Sequence, residues 1–153
     1  MSIKLSPLIG KLLVALQFIL IFLLIWLSEP VSSLAGGDLL VWSIAVIGTI
    51  AGLLAIKNNP PGNFNIEPMP KSGGRLIQSG IYKYIRHPMY TSVFLFGLMC
   101  VIATPSKFTW IVFGSLLGIL HMKALMEESW MLLAHAEYAS YMKHTKRYLP
   151  LIF

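Results

Sequence analysis

Two short stretches carry residues whose types and spacing suit chemistry. The first runs from Gly80 to Tyr90 and reads Gly-Ile-Tyr-Lys-Tyr-Ile-Arg-His-Pro-Met-Tyr, leading directly into an apolar segment. Pro88 suits the first position of a helix, where its missing N–H would have no partner anyway. The backbone N–H groups of Met89, Tyr90 and Thr91 would then face Arg86 and His87. A helix N-terminus beside an arginine suits a carboxylate or a phosphate. Tyr82, Tyr84 and Tyr90 add planar surface. A plainer reading has Arg86 and Lys83 meeting lipid headgroups at a membrane interface, and the spacing alone does not choose between the two.

The second stretch begins at Glu127 and Glu128, where another apolar run ends. A carboxylate there is costly without a partner, for which Arg86, Lys123 or a bound cation would serve. Lys123 stands four residues before Glu127 and can pair with it, in the weaker order for a helix. His121, Leu125 and Glu128 share one helical face. No metal is expected: His87, His121, His135 and His144 lack paired helical spacing, and Cys100 is the single cysteine. A Ser-His-Asp hydrolase is unsupported, since the single aspartate, Asp38, falls on the opposite side of the membrane in the topology below.

The elements that must position these residues are apolar. Of the 153 residues, 56% are hydrophobic and 12% charged, against about 25% charged in soluble domains. The pattern predicts an all-α integral membrane protein, a single domain over residues 1–153. About four transmembrane helices are expected, near 8–27, 39–56, 89–104 and 108–126, with site segments at 57–88 and 127–153. A signal peptide with Ser33-Leu34-Ala35 as its cleavage site is the rival for the first run; its length favours a retained helix. Pro60, Pro61, Pro68 and Pro70 keep the long loop out of helix. Pro105-Ser106-Lys107 makes a tight antiparallel hairpin. Gly114 and Gly118 have the spacing of close helix approach.

The net charge of +6 lies between apolar runs, not on one patch, so nucleic acid is not the expected partner. The 57–88 loop holds Lys57, Lys71, Arg75, Lys83 and Arg86 against Glu67, whereas the first loop holds Glu29 and Asp38 and no base. The positive-inside rule then puts both termini and the 57–88 loop in the cytoplasm, where loop and tail can meet. None of the four runs contains an acid, which disfavours an ion-coupled transporter.

Asn65, Pro68, Pro70-Lys71, Leu76, Gly80-Ile81-Tyr82 and Arg86-His87-Pro88-Met89-Tyr90 together resemble the signature of the isoprenylcysteine carboxyl methyltransferase family, relatives of the phospholipid methyltransferases. Glu127-Glu128, Tyr138-x-x-Tyr141 and Thr145-x-Arg147-Tyr148-Leu149-Pro150 resemble its C-terminal elements. The likeness runs from about residue 63 to residue 150. It departs where His135-Ala136 replace the family's usual Phe-Gly, which leaves the alignment of the two glutamates open. The resemblance implies an integral-membrane enzyme using S-adenosylmethionine, in a pocket formed by the loop and the helical tail. It implies a cofactor site of Tyr82, Arg86, His87, Pro88, Met89, Tyr90, His121, Glu127 and Glu128. The helix start with Arg86 and His87 would take the carboxylate, Glu127 or Glu128 the ammonium or ribose hydroxyls, and Tyr90 the sulfonium. Tyr138, Tyr141 and Arg147 would meet a small or lipid-like acceptor, such as a carboxylate, with Arg147 and Arg86 in catalytic roles. A member that only binds lipid or a protein partner is the alternative, and a small transporter a more distant one.

Overall fold

The computed structural model describes residues 7–28, 39–63, 65–71 and 73–150. The first loop, with Glu29, Asp38 and the Ser33-Leu34-Ala35 site, lies outside the described residues. The fold is all-helical: α1 Pro7–Leu27, α2 Leu39–Asn58, α3 Pro88–Ala103, α4 Lys107–Ala134 and α5 Tyr138–His144, with a 3₁₀ turn at Gly80–Lys83 before α3. Among the described residues three helices are long and apolar enough to cross a membrane: α1, α2 and α4. At 1.5 Å per residue α1 and α2 each span about 30 Å, the thickness of a bilayer core. The 16 residues of α3 reach only about 24 Å.

α2 packs chiefly on α3, and α1 on α4. Buried residues of α2 recur as Val41, Ile44, Gly48, Ala51 and Ala55, the i+3/i+4 spacing of one helical face. Leu24, Cys100, Val101, Val112, Phe113, Leu116 and Leu120 form a core between α1, α3 and α4. Outward faces carry Phe22, Ile25, Trp26, Ile47, Leu53 and Ile111 exposed, which is the composition a lipid-facing surface requires.

The close helix approach expected at Gly114 and Gly118 occurs elsewhere. A Cβ at either would meet nothing within 4 Å. The α2–α3 seam uses Gly48 and Gly52 instead: Ser92 donates its hydroxyl to the Gly48 carbonyl at 2.7 Å, and a Cβ on Gly52 would lie 2.9 Å from that hydroxyl. Glycine is needed there because the Ser92 side chain, bonded to the α2 backbone, leaves no room for another side chain. The hairpin forms as expected. Ser106 caps α4, accepting from Thr109 N at 3.1 Å while the Thr109 hydroxyl accepts from Ser106 N at 3.0 Å, a reciprocal capping box.

α4 outruns its apolar stretch, as a helix emerging from the membrane would. It continues past residue 126 to Ala134, about 42 Å in all. Roughly 20 residues fill a bilayer core, so counting from Lys107 the core ends near Met126 and the two glutamates follow on the same helix.

Gly97 meets Phe113, whose ring lies 2.9 Å from a Cβ built there. Gly97→Val should lower unfolding stability by about 1–3 kcal/mol through overpacking. Gly114→Ala should leave stability unchanged or raise it by up to about 1 kcal/mol. Thermal unfolding in detergent compares the two directly.

Candidate active site

The Gly80–Tyr90 segment and the tail meet through backbone. Arg86 N donates to Lys146 O at 2.8 Å, His87 N to Arg147 O at 3.0 Å, and Lys146 N to Tyr84 O at 3.0 Å. The first and third of these make one parallel bridge, Ile85 with Lys146. The Thr91 hydroxyl adds a bond to Tyr148 O at 2.7 Å. Gly80 starts the turn at φ +59°, and a Cβ there would collide with the Asn58 carboxamide at the end of α2; both facts require glycine. Pro88 takes the first helical position after His87, the N-cap of α3. The N–H of Thr91 is not available to a ligand, since it bonds His87 O at 3.1 Å.

The two glutamates face different ways. Glu128 is buried and gathers three cationic side chains. Arg86 Nε donates at 2.8 Å, Arg147 Nη2 at 2.7 Å and Nε at 3.1 Å, and His87 Nε2 lies at 3.2 Å. Arg86 is held further by the Thr145 and Met142 carbonyls. Glu127 has a side chain 36% exposed, with His87 Nδ1 at 3.4 Å, and accepts from the Tyr90 hydroxyl at 3.2 Å. His87 therefore bridges both carboxylates and stacks on Tyr90, the rings 5.2 Å apart and nearly parallel. Burial opposes charge on His87, but its hydrogen bonds to Glu127 and Glu128 prevail and raise its pKa above the ordinary value. When protonated, the ring donates from both nitrogens.

Beside Glu127 lies an open cleft enclosing about 870 Å³, including space open to solvent. Of the expected site residues, Tyr82, Arg86, His87, Pro88, Met89, Tyr90, Glu127, Tyr138 and Tyr141 line it. Glu128, His121 and Arg147 are not among its lining residues. His121 lies on the Glu128 face as expected, but its Nδ1 is 3.1 Å from the Tyr148 hydroxyl. Arg147 is committed to Glu128. Lys123 does not pair with Glu127; it bonds Gln17 on α1 and the Ile66 carbonyl. The phenols are neutral: burial, then the charge of Glu127, pushes Tyr82 up to about 12, and burial raises Tyr138 and Tyr141 also. Tyr141 instead donates to Tyr82 O at 2.6 Å.

Sequence reasoning missed the opposite wall, where Asn59, Asn63, Met69 and Ile77 face the cleft, and Met131 and His135 on the α4 side. The Asn63 amide grips Arg75 at both ends, accepting from its N–H at 2.7 Å and donating to its carbonyl at 3.0 Å. An asparagine among prolines in a loop gives no periodic signal, so only its turn preference was readable. Among the described residues no group of three His, Cys, Asp or Glu could hold a metal ion.

Residues 40–135 match the model of the isoprenylcysteine carboxyl methyltransferase family. The chain belongs to that family. The match covers well over half of the chain and includes the 80–90 segment and both glutamates. No curated protein matches the chain. Family membership and the three long apolar helices make it a membrane methyltransferase.

Removing the Glu128 charge takes the carboxylate from a largely buried Arg86 and a half-buried Arg147, so Glu128→Gln should destabilise the fold by about 3 kcal/mol. Glu127→Gln, at the cleft, should cost far less; chemical denaturation in detergent separates them. His87 gives a pH signature. Because its folded pKa is raised, its contribution to stability is complete below about pH 6.5 and is lost as pH rises through the folded value. Unfolding midpoints measured from pH 5 to 9 should fall over that window, and His87→Gln should flatten the fall.

Proposed function

We propose that the chain transfers a methyl group from S-adenosylmethionine to a small or lipid-like acceptor in the cleft beside Glu127. One observation carries this reading. Of the two adjacent glutamates, Glu128 is neutralised by Arg86, Arg147 and His87, so Glu127 alone presents a carboxylate to the cleft. The residues fit the donor. Glu127 suits an ammonium or ribose hydroxyls, the start of α3 at Met89 and Tyr90 suits a carboxylate, and Tyr90 offers an aromatic face to a sulfonium. Arg86 serves mainly by holding Glu128 and the tail, since Nε and Nη1 are both bonded. S-adenosylmethionine, when bound, supplies the sulfonium methyl group.

The chain's own residues would align and desolvate. An acceptor carboxylate is ionised at pH 7 and requires no base, and Tyr82, Tyr138 and Tyr141 stay protonated and cannot act as one. Alignment then carries most of the rate. Tyr138 and Tyr141 are the residues best placed to meet the acceptor, and Arg147 would act on it only through Glu128. The excess of bases around 57–88 supports a cytoplasmic cleft with both termini on that side, and the exposed apolar helix faces support an apolar acceptor that enters sideways.

Calorimetric titration of the detergent-purified protein with S-adenosylmethionine should show saturable binding. Glu127→Ala should weaken it about tenfold or more, near 1.4 kcal/mol, without the unfolding expected of Glu128 variants. Absence of binding up to millimolar donor would end this reading. Mass spectrometry of products from a panel of prenylated carboxylates, thiols, amines and phospholipids would identify the acceptor. Donor binding with no methylated product would favour a non-catalytic member.

A further inference from the structure

α1, residues 7–27, lies wholly outside the family match at 40–135, yet it touches the wall of the cleft at two points. Near its start, a Cβ on Gly10 would lie 3.1 Å from the ring of Pro68, which is fully buried. Two turns later Gln17 places a buried amide among apolar residues. Its Oε1 accepts from Lys123 Nζ at 2.5 Å, and the same ammonium donates to the Ile66 carbonyl at 3.2 Å. Lys123 is only 2% exposed. A lysine buried in an apolar helix persists only where fixed acceptors replace its water, and here they come from α1 and from the loop.

Ile66 and Pro68 belong to the segment 65–71, whose Asn65, Met69, Pro70 and Lys71 line the cleft. The ammonium also stands 5.4 Å from the centre of the Tyr90 ring, within cation–π range, and Tyr90 holds Glu127. One cation therefore joins α1, α4, the loop wall and the aromatic beside the exposed carboxylate. We propose that Lys123, held by Gln17, is a positioning residue that fixes the 65–71 wall and Tyr90, so that the N-terminal helix is a structural part of the site. Its effect on ligand binding rests on the methyl-donor reading above; the clamp itself does not.

The test uses full-length protein in detergent and trypsin. Lys71 and Arg75 are exposed, but both backbone groups of Arg75 are held by Asn63, so cleavage there reports how firmly the loop is fixed. The double variant Gln17→Leu/Lys123→Met replaces the buried polar pair with apolar side chains, a change that folded proteins tolerate. It should retain the wild-type melting temperature, be cut after Lys71 and Arg75 at least fivefold faster, and bind S-adenosylmethionine about tenfold more weakly. Gln17→Glu keeps an acceptor oxygen and should be cut at the wild-type rate. Unchanged cleavage in the double variant overturns the clamp. Faster cleavage with wild-type affinity overturns its role in positioning the site. If the wild type binds no donor, the methyl-donor reading fails by itself, and the cleavage rates still decide the clamp.

Discussion

Two adjacent carboxylates at the end of an apolar helix set the terms for everything around them. Successive helical residues point about 100° apart, so Glu127 and Glu128 cannot share one environment. Glu128 turns inward and is buried, which is tolerable only with close cationic donors. Arg86 comes from the loop before α3 and Arg147 from beyond α5, 42 and 19 residues away in sequence. Bringing both to one carboxylate requires the loop and the tail to lie side by side, and the Ile85–Lys146 bridge is how the backbone achieves it. His87 then joins the two glutamates, keeping Glu127 paired on one side while its other side faces the cleft.

This arrangement redistributes the roles of the basic residues. An arginine at a helix start reads as an anion ligand when seen in isolation. Here Nε and Nη1 of Arg86 are spent on Glu128, Thr145 and Met142, and Arg147 on the same carboxylate. The cleft is thus framed by aromatic residues, a helix start and one carboxylate, with Arg86 in its lining but turned to Glu128 and Arg147 outside it.

Much of this was legible in the sequence because membrane helices announce themselves by composition. The starts of α2, α3 and α4 and the end of α1 fall within a residue of where the apolar runs and breakers put them. Pro88 was readable as a helix start because it is excluded from most other helical positions. The end of α4 was not, because hydropathy stops at Glu127 while the backbone has no reason to stop: Glu-Glu-Ser-Trp-Met-Leu-Leu-Ala holds no glycine or proline and is mostly good helix formers. The partner of Lys123 was hidden for a different reason. Local spacing offered Glu127 at i+4, but the side chain bonds Gln17, 106 residues away, and tertiary pairing leaves no mark in local sequence. Gly48 and Gly52 carried the same spacing as Gly114 and Gly118; only the facing Ser92 distinguishes them.

The short third helix follows from the same geometry. From the hairpin at Ser106, α4 climbs 21 residues to reach Glu127, about 31 Å. α3 returns only 16 residues, about 24 Å, and stops at Pro88. The two residues before it, Arg86 and His87, lie outside the helix, with His87 as its N-cap at φ -122° and ψ 58°. A proline at residue 88 thus does more than start a helix. By forcing the chain out of helix just before it, Pro88 lets Arg86 reach Glu128 and leaves the backbone of Arg86 and His87 free to pair with Lys146 and Arg147.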